Sequence, residues 1–147
     1  SKILLRKILF YAPDDYISNK YGQMKELAIE ATKTSPEIVL KPSGTLRFKG
    51  RSIHENTQDF FDSVIKRIDE YLNDPADTTF VDIQLEYFNS ATAKYIVIML
   101  QRLKEVMLKD KKYYVNWFYE EGDEDILERG EYFSSVLDMD FNFVEMT

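Results

Sequence analysis

From Ser35 onward the hydrophobic positions recur with two alternating periods, near two and near 3.6. That is the signature of strands and amphipathic helices sharing one core. Glu37 to Lys41 and Thr45 to Lys49 are short β-rich runs separated by Pro42-Ser-Gly44, a turn signal that predicts a hairpin. Phe60, Phe61, Val64, Ile65, Ile68, Tyr71 and Leu72 then follow helical spacing, with Asn56 or Thr57 placed to cap and Asn73-Asp-Pro75 placed to stop the helix. Phe80 to Phe88 alternates, with Val81, Ile83, Leu85 and Tyr87 on one side and Asp82, Gln84 and Glu86 on the other, which predicts a strand with one dry face. A second helix is predicted from Ser90 to Leu108, its buried stripe formed by Ile96, Leu100, Leu103 and Met107. Tyr113 to Glu120 reads as an aromatic strand, Asp123 to Val136 as a helix opened by acidic residues, and Phe141 to Met146 as a closing strand.

The resulting order, β-β-α-β-α-β-α-β, predicts an α/β (α+β) unit over residues 35–147 with a mixed sheet of about five strands. The opening hairpin must be antiparallel, helical crossovers demand parallel neighbours, and the alternation of the third strand places the helices mainly on one face. Residues 1–34 form an N-terminal extension with turn chemistry at Pro13-Asp-Asp15 and Asn19; Met24 to Thr34 reads as either a leading strand or a tether. Arg6 and Lys7 split the apolar stretch at the start and no small-residue cleavage site follows, so this is not read as a secretory signal.

Composition narrows the function. Ten Tyr, ten Phe and one Trp with 44% hydrophobic residues predict a packed core in this 147-residue chain. A net charge of -7 with no basic cluster argues against nucleic acid. The run Tyr95 to Leu100 is far short of a membrane span, so no membrane insertion is expected. The absence of cysteine excludes a disulfide framework and a thiolate nucleophile and fits a cytoplasmic setting.

Candidate chemistry is sparse. The single histidine, His54, lies in a loop without a second histidine or a triad context, so hydrolytic machinery is not expected. Asp123, Glu124, Asp125 and Glu128 could hold a hard cation, which leaves a small Mg-dependent enzyme or ligand-binding domain as the alternative function. Carboxylates in a first helical turn equally oppose the helix dipole, and their spacing is not that of a calcium loop, so no metal or cofactor is assigned. The informative stretch is Tyr87-Phe-Asn-Ser-Ala-Thr-Ala-Lys94, where a half-buried strand passes into a buried helix. Asn89 or Ser90 would cap that helix, and a phosphoryl group on Ser90 would meet backbone N–H donors at its N-terminus.

Several separated motifs resemble the SiaC family of bacterial regulatory phosphoproteins: Ser35-Pro-Glu-Ile38, Gly50-Arg-Ser52 with Glu55-Asn56, Leu85 to Lys94, and Asn116 to Glu131. The resemblance implies a STAS-like fold related to anti-sigma-factor antagonists. It implies a non-enzymatic signalling domain whose phosphoacceptor follows the Asn at the strand-to-helix junction, here Ser90. The family's usual run is Asn-Thr-Ser-Ser; here Ala91 interrupts the hydroxyls and Thr92 is the second candidate. It further implies a serine/threonine protein kinase, a metal-dependent serine/threonine phosphatase and an effector, in some relatives a diguanylate cyclase. The surface expected to meet these partners comprises Ser52, Glu55, Asn56, Asn89, Ser90, Thr92, Lys94, Asp123 and Asp125.

Overall fold

The hairpin expected across Pro42 to Gly44 joins β2 (Glu37–Leu40) to β3 (Thr45–Ser52), in antiparallel register with Leu40 opposite Leu46. Gly44 makes the turn at φ 111°, where a Cβ would come within 2.2 Å of the Thr78 carbonyl oxygen. The structure, a computed structural model, describes residues 24–147, so the turns expected at Pro13 to Asp15 and at Asn19 lie outside the described residues.

After β3 come α1 (Thr57–Asn73), β4 (Thr78–Phe88), α2 (Ser90–Leu103), a 3₁₀ segment (Lys104–Lys109), β5 (Lys112–Glu120), α3 (Glu124–Leu137) and β6 (Asn142–Met146). The sheet has six described strands, not about five. A three-residue strand, β1 (Leu27–Ile29), pairs antiparallel with β2 and lies within the Met24 to Thr34 stretch. It is too short to show a period of its own.

Strands β3 to β6 are parallel and lie side by side in chain order. Right-handed crossovers that always step in the same direction return every helix to the same face of the sheet. Leu46, Phe48, Val81, Ile83, Val115 and Trp117 point to that face and are buried. Phe61, Val64 and Ile68 of α1, Ile96 and Leu100 of α2, and Ile126 and Phe133 of α3 close over them. Burial pushes the Tyr113 phenol far above its usual pKa, and its neutral hydroxyl donates to the Leu100 carbonyl at 3.0 Å. On the opposite face Phe80 stacks on Tyr114. Beside them runs an amide ladder: Asn116 Nδ2 donates to Asp82 Oδ1 at 2.7 Å, and Asn142 Nδ2 to Asn116 Oδ1 at 3.1 Å.

Two sequence expectations fail at element ends. Met107 is 51% exposed and Val106 takes its place in the core at 0%. Beyond Leu103 the helix tightens to three residues per turn, so the inward position falls three residues on, not four. Tyr87 is 52% exposed while Phe88 is buried at 1%. The register with β3 explains it: Gly50 faces Leu85, but Arg51 faces Tyr87, so Glu86 is an extra residue that forms a bulge and inverts the alternation.

Candidate regulatory site

The bulge aims the end of β4. With Phe88 turned into the core, the chain leaves the strand at Asn89, whose amide N–H donates to the Ser52 carbonyl at 3.1 Å. Asn89 is the cap of α2: its Oδ1 accepts the Thr92 N–H at 2.9 Å. That settles the choice between Asn89 and Ser90 as cap. Ser90 takes the first helical position, and its exposed hydroxyl has no hydrogen-bond partner among the described residues.

Thr92 has the opposite setting. It is 0% exposed, its hydroxyl donates to the Ser52 carbonyl at 3.1 Å, and its Oγ1 lies 2.7 Å from Ser52 Oγ. Ser52 is also 0% exposed. Both were expected on the partner surface; instead they form a buried pair that ties the end of β3 to the first turn of α2, because a polar side chain in a core needs a partner there.

The remaining expected residues lie on or just before three helices. Glu55 and Asn56 are exposed before α1, and Thr57 donates its hydroxyl back to the His54 carbonyl at 2.9 Å. The ring of His54 packs edge-on against Phe60 at 4.7 Å between centroids. Lys94 is exposed and, four residues after Ser90, shares its helix face. Asp123 caps α3, its Oδ1 accepting the Ile126 N–H at 3.1 Å, while Asp125 is exposed. Among the described residues no three Asp, Glu or His side chains gather as a metal site requires, so the carboxylates of Asp123 to Glu128 are adjacent in sequence without converging in space.

Arg129, to which the sequence pointed only as part of a motif, touches the end of β4. β4 and β5 pair no further than Ile83 with Trp117, and beyond that the sheet parts. A cleft of 190 Å³ opens there, lined by Lys49, Gln84, Glu86, Tyr119, Glu120 and Asp123 among others. Nearby Arg129 reaches from α3 to donate Nη1 to the Phe88 carbonyl at 2.8 Å, its Cζ 3.7 Å from the centre of the Phe88 ring. The close seat of α3 permits this. Trp117 Nε1 donates to the Ile126 carbonyl at 2.9 Å, and a Cβ on Gly130 would fall 2.5 Å from that nitrogen.

A six-stranded mixed sheet with helices on one face, ending in a capped junction that bares one serine, is the frame of a small regulatory domain, and comparison with known proteins agrees. The model of the SiaC family of regulatory phosphoproteins matches residues 29–146. An uncharacterised protein of Pseudomonas aeruginosa is 28% identical over 111 residues, covering 75% of this chain and 88% of that protein. The structure of apo-SiaC from Pseudomonas aeruginosa superposes with a TM-score of 0.72 at 26% identity, over 84% of this chain and 100% of that one. SiaC from the same organism, in complex with the diguanylate cyclase SiaD that it activates, gives a TM-score of 0.72 at 28% identity, over 81% of this chain and 97% of that one. The chain belongs to the SiaC family of regulatory phosphoproteins.

Proposed function

We propose that this chain is a non-enzymatic cytoplasmic signalling domain whose partner choice is set by phosphorylation of Ser90. A serine/threonine kinase adds the mark: Ser90 Oγ attacks the terminal phosphorus of a nucleoside triphosphate, its proton passes to the kinase, and the diphosphate leaves. A metal-dependent phosphatase returns the serine by hydrolysis to inorganic phosphate. The effector is a diguanylate cyclase, by analogy with the activator complex of the Pseudomonas aeruginosa relative.

The observation that carries this reading is the division of labour at the junction. Because Asn89 supplies the cap, the Ser90 hydroxyl is exposed and unengaged among the described residues, whereas Thr92 is buried and bonded to Ser52. Thr92 could not reach a kinase without unpacking the start of α2. A phosphoryl group on Ser90 adds close to two negative charges at an exposed position on the helix face it shares with the exposed Lys94. Such a change remakes or breaks an interface by charge and desolvation while leaving the core intact.

Peptide mass spectrometry on protein isolated from its native cells, with and without phosphatase treatment, tests the reading. Phosphate is expected on Ser90 in a fraction that varies with growth condition. Ser90 unmodified in every condition, or phosphate on Thr92 with Ser90 untouched, would overturn it.

A further inference from the structure

We infer that Arg129 is the residue through which a phosphoryl group on Ser90 is felt by α3. This rests on the reading of Ser90 as the acceptor, and it begins from an anomaly among the arginines. Arg47 pairs with Glu37 at 2.8 Å, Arg102 with Asp69 at 2.8 Å, Arg67 with Glu70 at 3.3 Å and Arg51 with Glu86 at 3.9 Å. Arg129 alone among the described arginines has no carboxylate partner. In a chain of net charge -7 a carboxylate would be easy to supply.

The guanidinium is nevertheless fixed. It lies over the Phe88 ring and gives one N–H to the Phe88 carbonyl, at the end of β4 beyond the last residue paired with β5. A guanidinium has five N–H donors in a rigid fork, so most of its donors face no acceptor among the described residues. Ser90 is two residues beyond Phe88, a backbone span of at most about 7 Å. A phosphoryl group there carries three acceptor oxygens, and the guanidinium held beside Phe88 is a fork suited to bidentate phosphate pairing. Because Arg129 is part of α3, whose Gly130 packs against Trp117, an Arg129–phosphate pair fastens α3 to the start of α2. Phosphorylation is thereby reported on the helix that also displays Asp125.

The test installs phosphoserine at position 90 during synthesis, so no kinase is needed. Absence of phosphate in native cells would then count against the acceptor reading without deciding this one. Phosphorus NMR follows the second ionisation of the phosphate, ordinarily near pH 6, in the parent protein, Arg129→Gln, Arg129→Lys and Lys94→Gln. The helix N-terminus acts equally in all four, so differences isolate the side chains. The parent phosphate is expected to ionise at a pH lower by about 1 than in Arg129→Gln, with Arg129→Lys between them and Lys94→Gln close to the parent. Coincident curves for the parent and Arg129→Gln, or the whole difference appearing in Lys94→Gln, would overturn the inference. If circular dichroism shows Arg129→Gln unfolded, Arg129→Lys decides: a curve coincident with the parent overturns the inference, and a displaced one supports it.

Discussion

The N-termini of α2 and α3 share a capping hydrogen bond and differ in charge. In each, a side-chain oxygen accepts the N–H three residues on, Asn89 to Thr92 and Asp123 to Ile126. The α3 terminus is already negative: its cap is a carboxylate, and Glu124 and Asp125 follow in the first turn. The α2 terminus has a neutral cap and no acidic residue in its first turn. Negative charge at a helix start is favourable by about 0.3–1 kcal/mol, and α3 has that stabilisation permanently built in. At α2 the same place is left open, and an exposed serine occupies it. The contrast separates a helix whose N-terminal charge is built in from one whose N-terminal turn carries none, the place where the proposed phosphorylation would add it.

The comparison can be broken most severely at the seat of α3. Gly130→Ala gains about 1 kcal/mol of helix propensity, but its Cβ would lie within 2.6 Å of three Trp117 ring atoms, and Trp117 is itself fully buried. Overpacking of this kind costs up to about 3 kcal/mol, so urea unfolding should show a net loss of about 2 kcal/mol. A neutral or stabilised variant would mean that α3 does not rest on Trp117.

A smaller effect separates the two hydroxyls of α2. Thr92→Val strands the buried Ser52 hydroxyl and should lose about 1–2 kcal/mol, whereas Ser90→Ala should stay within about 0.5 kcal/mol of the parent. Equal losses from the same denaturation experiment would contradict the burial assigned to Thr92. The caps give the finest test. Asn89→Ala and Asp123→Ala should each cost about 1 kcal/mol, while Asn89→Asp should gain a few tenths at low salt, a gain that fades as salt is added. Thermal unfolding at two ionic strengths reads the difference, and a salt-independent Asn89→Asp would undo the charge argument.

Much of this was legible in the residues. The stripe of Phe61, Val64, Ile68 and Tyr71 specified α1, and the alternation of Val81, Ile83 and Leu85 specified β4, because burial on one face imposes the period directly. The pattern broke where a neighbour decides. The bulge at Glu86 depends on register with β3, and the turn from Met107 to Val106 depends on a local tightening of the helix, neither of which alters composition. Ser90 stood out as the residue after Asn89. That Thr92 is hidden was not legible, since its partner Ser52 lies 40 residues away in sequence. Arg129 lay within the Asn116 to Glu131 motif, but its contact with Phe88, 41 residues away in sequence, was not legible for a similar reason. That contact forms where Gly130 brings α3 against Trp117 and the pairing of β4 with β5 has ended.

The amide ladder on the open face has a consequence for how the strands find one another. Asp82, Asn116 and Asn142 lie in one row across three parallel strands that are brought together over long loops, the slow kind of pairing in folding. A slip of one residue would turn Ile83, Trp117 or Phe143 toward water and leave the neighbouring amide facing an apolar side chain. The row therefore acts as a proofreading device: only the native alignment joins all three polar groups, and misaligned intermediates forfeit the ladder and the core together.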